Sequence, residues 1–363
     1  AKEKEEGLIK KLFVTGCLSE RYKEDLMTDI PEVDGFYGTR DLPELLKNFE
    51  AQYRNELLGD RIITTDSHYA YLKISEGCDR PCSFCAIPIM RGRHISKPMD
   101  QIVIEAKNLV KNGVREIMLI AQDSTYYGID LYKKRVMSEL LKKLSDVDGL
   151  DWIRIHYAYP SGFPMDIVEV MRDRDNICNY LDIPLQHGST RMLKIMRRGI
   201  TREKTDNLIK NIRDINPDIT LRTTLIAGHP GETDNDFEEM YEFVERSRFD
   251  RLGIFTYSHE EGTKAHKLED DVPEQLKRSR SNKIMALQQK ISAEKNKNKI
   301  GSEVKVLIDR VDAHNYYGRT EQDSPEVDNE VIIPSKEMHL RVGDFYKVII
   351  TDSKEYDLIG KIL

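Results

Sequence analysis

Residues 70–85 read Ala-Tyr-Leu-Lys-Ile-Ser-Glu-Gly-Cys-Asp-Arg-Pro-Cys-Ser-Phe-Cys, an apolar run from Ala70 to Ile74 followed at once by Cys78, Cys82 and Cys85. The run has the β-branched and aromatic composition of a strand. Five further runs of that kind follow at Glu116 to Ala121, Trp152 to Tyr157, Tyr180 to Leu185, Leu221 to Ala227 and Leu252 to Tyr257. Between them lie segments of helical periodicity, such as Met99 to Lys111, Arg135 to Leu144 and Asp234 to Ser247. Strand starts roughly 30 to 45 residues apart suit right-handed crossovers, which make neighbouring strands parallel. Ile117-Met118-Leu119-Ile120-Ala121 is apolar throughout, as a strand covered on both faces must be. The expected fold is therefore α/β: a partial parallel (β/α)6 barrel, short of the eight units that close one, and open on one side.

Both flanks differ from this middle. Lys11 to Gly16 reads as a short buried strand and Pro43 to Leu58 as a helix, without repeated βα partners, which suggests the remnant of an N-terminal α/β domain over residues 1–60. The chain starts in a charged stretch and without Met, as a fragment would. Pro273 to Lys299 reads as one long helix with eight Lys and Arg against two Glu, net +6, whose simplest reading is a solvated basic face. After it come short alternating strands, Glu303 to Ile308, Glu330 to Ile333, Phe345 to Thr351 and Asp357 to Ile362, with turns at Asn315 to Gly318 and Val342 to Asp344. Their spacing suggests a small closed, OB-like β-barrel over 300–363, with 61–299 forming the parallel barrel and its connecting helix.

Composition narrows the function. The 363 residues carry 33% charged and 39% apolar side chains with a net charge of −7, and mean hydropathy is −0.56. No apolar run approaches the roughly 20 residues of a membrane span, so no membrane role and a cytoplasmic location are expected. The five cysteines are too few and too clustered for a disulfide framework. Three thiols within eight residues suit a metal or cluster instead. A structural zinc site would need His94 as fourth ligand and lacks the usual second knuckle. A cubane iron-sulfur cluster normally takes four thiolates, so three would leave one iron open to a substrate. Cys178 has no motif around it and reads as core.

The C-x3-C-x2-C spacing with Phe84 before the last cysteine resembles the signature of the radical S-adenosylmethionine (SAM) superfamily, whose partial barrel the six βα units match. The resemblance implies a [4Fe–4S] cluster on Cys78, Cys82 and Cys85, whose open iron binds SAM. One electron then cleaves SAM to a 5′-deoxyadenosyl radical that abstracts hydrogen. It also implies cofactor contacts from strand-end residues, for which Phe84, Gln122, Gln186, Arg222 and Glu232 are the candidates. The bland readings are packing for Phe84, Tyr157 and Tyr159, satisfied imidazoles for His187 and His229, and a turn with a helix cap for Gly231-Glu232-Thr233.

Three blocks extend the likeness over nearly the whole chain: Val14 to Tyr22, Ser75 to Pro98, and the terminal barrel. Together they are similar to the methylthiotransferases, which join a cluster domain, a radical barrel and a TRAM domain. In that family Cys17 corresponds to the last of three ligands of an auxiliary [4Fe–4S] cluster; the other two have no counterpart here. One branch modifies an adenosine of transfer RNA, another the β-carbon of an aspartate on protein twelve of the small ribosomal subunit. From Gly301 onward the chain has 8 basic and 13 acidic residues, net −5, an unsuitable surface for RNA and an attractive one for a basic ribosomal protein. Ile120 to Asp123 and Pro184 to His187 also look more like the ribosomal branch. The expected partners are that ribosomal protein and an electron donor such as flavodoxin or ferredoxin. The competing readings are the transfer-RNA enzyme and a non-catalytic zinc or RNA-binding module.

Overall fold

The computed structural model describes residues 1–51, 61–334 and 339–363. At the amino end, β1 (Phe13–Thr15) and β2 (Gly35–Tyr37) pair in parallel, with helices Cys17–Arg21 and Lys23–Asp29 between them. The first strand therefore does have a βα partner, contrary to expectation. Three residues between Asp34 and Gly38 are too short a run to show alternation. The expected helix from Pro43 spans Leu42–Lys47, and the part of it at 52–58 lies outside the described residues.

The middle strands are β3 (Tyr69–Lys73), β4 (Ser75–Glu76), β5 (Ile95–Ser96), β6 (Glu116–Ile120), β7 (Trp152–Ile155), β8 (Ile177–Asp182), β9 (Thr220–Ala227) and β10 (Arg251–Thr256). Six of them form one parallel sheet in the sequential order β3-β6-β7-β8-β9-β10, and β3 and β10 are not paired to each other, so the barrel stays open. The strand expected at Tyr180 to Leu185 starts earlier, at Ile177. Helices cover the outer face through apolar stripes: Met99–Lys111 buries Met99, Ile102, Ala106 and Leu109, spaced for one face of a 3.6-residue period. β4 and β5 pair antiparallel, Ser75 opposite Ser96, and tie off the base of the cysteine loop.

The last strands, β11 (Glu303–Val311), β12 (Asn315–Arg319), β13 (Val331–Pro334), β14 (Phe345–Ser353) and β15 (Leu358–Ile362), close a barrel around Val306, Ile308, Val331, Ile333, Val348 and Ile350. Asn315 to Gly318, expected as a turn, is most of β12. The turn lies before it, where Asp312 accepts from the amides of His314 and Asn315. Gly318 serves close approach: a Cβ there would stand 2.4 Å from the Leu307 carbonyl oxygen of β11.

This small barrel caps the amino ends of the large sheet's strands. Trp152, Cys178, Tyr180 and Leu307 form an apolar seam, with Trp152 edge-on to Phe345 at 4.7 Å, so Cys178 is core as expected. Around it the loop after β12 reaches in. Asp323 pairs with Arg251, Asp328 accepts from Tyr180 at 2.7 Å and Arg222 at 3.3 Å, and Arg154 donates to the Glu321 carbonyl at 2.6 Å. Asp309 pairs with His68 at 2.8 Å and Glu326 accepts from Tyr69 at 2.9 Å. Much of the domain's acidity thus meets the parallel barrel rather than solvent, and its net −5 does not describe an outward acidic face.

The basic helix, Glu274–Lys297, keeps a solvated basic side with Arg278, Lys283, Lys290 and Lys297 exposed. Its other side packs on β9 and β10, where Lys277 is bound to Asp270 and Glu274 and Arg280 to Glu232 and Asp234, both cations buried.

The seam sets two expectations for stability. Removing one partner of a buried pair strands the other's charge, so Asp323→Asn should cost about 3 kcal/mol in urea unfolding. Glu330→Gln, which breaks the exposed pair with Arg310, should cost no more than about 0.5 kcal/mol. His156, buried beside Ser324 at 2.9 Å, has its pKa pushed down to about 3, first by burial and then by Arg154 and Arg222. A depressed histidine stabilises the fold fully above the unfolded pKa of about 6.5 and loses that contribution as pH falls toward 3. Between pH 7 and 5 the wild type should lose about 2 kcal/mol more than His156→Gln does.

Candidate functional site

The cysteine loop is the excursion from β4 to β5, at the carboxyl end of β3, where the βα loops of a parallel barrel gather. It is pinned at three places: Cys78 N–H donates to the Gly92 carbonyl at 3.0 Å, Ser83 N–H to Met196 at 3.0 Å, and Ala265 N–H to the Ser83 carbonyl at 2.7 Å. Gly77 has φ +82°, and a Cβ there would lie 2.1 Å from the Arg93 carbonyl oxygen, so only glycine lets the chain enter the loop this way. Cys78, Cys82 and Cys85 line one cavity of about 440 Å³ together with Arg80, Pro88 and Thr263. Burial pushes the Cys78 thiol up to about 11 and raises that of Cys85. Among the described residues no three His, Cys, Asp or Glu side chains converge tightly enough for a single metal ion. His94, the fourth ligand a zinc site would need, instead holds Ser96 at 3.0 Å and stands edge-on to Tyr126.

Cations surround the thiols. The buried Arg198 donates to the Cys82 sulfur at 3.1 Å and lies 4.3 Å from the Tyr159 ring centroid. Arg80 covers the same ring at 4.1 Å and pairs with the buried Asp123 at 2.6 Å, which fastens the loop to the end of β6. Arg80 Nη2, Arg198 Nε and, beyond β6, Gln122 Oε1 are buried without a hydrogen-bond partner. Unspent arginine donors beside three thiols that share a cavity are what a bound cluster and a polar ligand would use, so the residues present fit such groups.

The other sequence candidates divide. Gln122 lines a second cavity, of about 680 Å³, with Tyr71, Ser75 and Tyr157. Tyr157 and Gln186, just beyond the carboxyl ends of β7 and β8, have φ of +59° and +75°, strain of the kind that gathers at functional sites. Phe84 is half-buried, 6.4 Å edge-on from His229. His229 keeps its proton on Nδ1, 3.1 Å from the Pro230 carbonyl, and its other nitrogen meets Ser83 at 3.3 Å. It is a satisfied imidazole, lowered in pKa mainly by burial. Glu232 is fully buried and accepts from the Gly228 amide at 2.8 Å and Arg280 at 2.8 Å, with His187 at 3.3 Å. Thr233 caps the next helix in a capping box with Asp236, so this stretch is the turn and cap of the bland reading. Arg222 sits five residues before the end of β9 and is spent on Asp182 at 3.1 Å and Asp328 at 3.3 Å. Arg222 and Glu232, both expected at a cofactor, thus carry partners inside the protein, as burial obliges.

Cys17 opens the helix Cys17–Arg21, which packs on Ile87–Arg91, the helix directly after Cys85, and its thiol meets the Arg91 guanidinium. The fold thus brings four of the five cysteines to one region. The sequence reading missed Arg80, Arg91 and Arg198. The only available signal was an arginine between two loop cysteines and a paired Arg197-Arg198 after a helix.

Comparison with known proteins agrees with this geometry. A family model described as the radical SAM superfamily matches residues 72–244, and one for the TRAM domain matches 300–363. A Cytophaga hutchinsonii protein named ribosomal protein uS12 methylthiotransferase RimO is 59% identical over 99% of this chain and 82% of its own length. The protein of that name from Bacteroides thetaiotaomicron is 55% identical over 100% of this chain and 84% of its own. Among solved structures, the cobalamin-dependent SAM radical enzyme OxsB aligns with a TM-score of 0.51 at 14% identity, over 73% of this chain and 43% of that one, a likeness of fold alone. Identity of this extent across all three parts of the molecule settles the family: the chain belongs to the RimO methylthiotransferases of the radical SAM superfamily.

Proposed function

We propose that this chain adds a methylthio group to the β-carbon of an aspartate of ribosomal protein uS12, with Cys78, Cys82 and Cys85 holding the [4Fe–4S] cluster that binds SAM. The observation that carries the assignment of residues is the set of three thiols around one cavity at the carboxyl end of the parallel sheet, in a chain of this family. When bound, the cluster and SAM supply the electron transfer, the hydrogen abstraction and the methyl group. The chain's own residues position and shield. The bonds to Gly92, Met196 and Ala265 fix the loop backbone, Arg198 places a cation on the Cys82 sulfur, and Tyr159 fills the space between the two arginines. Gln122 offers an unpaired acceptor toward a polar ligand. Cys17 would serve as one ligand of the auxiliary cluster, the remaining ligands having no counterpart in this chain. A low-potential one-electron donor of the flavodoxin or ferredoxin kind and a cytoplasmic location follow from a ribosomal substrate and this chemistry. No described helix is long and apolar enough to cross a membrane.

Anaerobic reconstitution with iron and sulfide should give a protein that forms 5′-deoxyadenosine from SAM, and Cys82→Ala should form none. Given uS12 and a transfer RNA in parallel, the intact enzyme should leave the methylthio mass on the protein; finding it on the nucleoside would overturn the substrate assignment. The Arg198 contact also carries a sign. A cation beside a ligand sulfur favours the more negative, reduced cluster, so Arg198→Met should move its reduction potential negative by on the order of 60 mV, equivalent to about 1.4 kcal/mol for one electron. A potentiometric titration followed by electron paramagnetic resonance reads this, and Arg198→Lys should restore part of it.

A further inference from the structure

The second cavity, about 680 Å³ and lined in part by Tyr71, Lys73, Ser75, Arg91, Gln122 and Tyr157, has an unusual charge for a pocket in an acidic chain. Among the described residues its lining has two cations, Lys73 and Arg91, and no carboxylate. Both cations are held by one anion, Glu76, which accepts from Lys73 at 2.6 Å and from Arg91 at 2.8 Å. Two positive charges shared by one negative leave a surplus of one facing the cavity. The orphaned Gln122 oxygen and the strained Tyr157 backbone lie in the same wall. Arg91 also meets the Cys17 thiol, so the surplus lies beside the cysteine assigned to the auxiliary cluster.

Resting on the uS12 reading above, we infer that this cavity admits the side chain of the target aspartate and that Lys73 and Arg91 bind its carboxylate. The chemistry asks for such a grip. The carbon to be modified is one bond from the carboxylate, so fixing the carboxylate fixes the carbon, and Arg is suited to hold both oxygens. Glu76 keeps the two long side chains from wandering while leaving charge to spare, which is preorganisation rather than mere attraction. A neutral adenine base would make no use of the surplus.

The test measures how well the reconstituted full chain distinguishes two peptides. One is a synthetic uS12 segment spanning the target aspartate, the other the same segment with asparagine there, each labelled for fluorescence anisotropy. The wild type should favour the aspartate peptide by about tenfold or more, as expected for charge-assisted bonds. Lys73→Gln and Arg91→Gln should each cut that ratio several-fold, the double variant should bring it near one, and Arg91→Lys should keep part of it. SAM affinity, measured in parallel, should stay within twofold. An unchanged peptide ratio in the double variant overturns the inference. So does a loss of SAM affinity with the ratio intact, which would give the cations to the SAM carboxylate. Displacement of the peptide by a transfer-RNA stem-loop whose own binding falls in the variants would make the cavity a phosphate reader and would also overturn it. If both peptides bind the wild type equally, only this assignment falls. If neither binds, the uS12 reading falls with it.

Discussion

The parallel sheet of six strands in sequential order leaves β3 and β10 unpaired with each other, and most of what is particular to this molecule follows from how its two ends are finished. Eight βα units would pair the two edge strands with each other; six leave β3 and β10 as edges and the lumen open. At the amino ends the small barrel supplies the missing cover. It does so with charge as well as apolar surface: Arg251 of the strands pairs with Asp323, Arg222 with Asp328, and Arg154 donates to the Glu321 carbonyl. A buried ion pair adds little net stability over a hydrophobic one, but a mismatch is expensive. The pairs therefore fix where the small barrel sits, while Trp152, Tyr180, Leu307 and Phe345 supply the apolar contact.

At the carboxyl ends the same openness is the working part. The cysteine loop is long, lacks regular structure from Gly77 to Cys85, and is held by single backbone bonds to Gly92 within its own excursion and to two distant segments at Met196 and Ala265. Such a loop keeps its shape only if those segments are rigid. The sheet, anchored at its other end by the seam, provides that rigidity. Arg80 carries it into the loop through Asp123, which itself caps the short helix Ser124–Tyr126.

What the sequence disclosed and what it hid divide along a physical line. Periodicity and composition report on long elements with one buried face, so Met99–Lys111 and Asp234–Ser247 were legible to the residue, and the continuous apolar strand at Glu116–Ile120 to within one residue. β2 is too short to have a period, and Gly318 of β12 reads as a turn residue although its missing side chain serves strand contact. The cysteines announced themselves by spacing. Arg80, Arg91 and Arg198 did not, because the partner that gives each its role is distant in sequence: Asp123, Cys17 and Cys82.

Charge was the least legible property, and for a specific reason. A sum over a segment treats every ionised group as surface, yet Asp323 and Asp309 meet Arg251, Arg319 and His68, and Arg280 meets Glu232, all across element boundaries. The acidic tally of the small barrel and the basic tally of the long helix both shrink once these pairs are counted. Where net charge does bear on a ligand is where pairing is incomplete. Around Glu76 two cations share one carboxylate at the wall of a cavity, and that local imbalance, invisible in any segment total, is the electrostatic feature a substrate would meet.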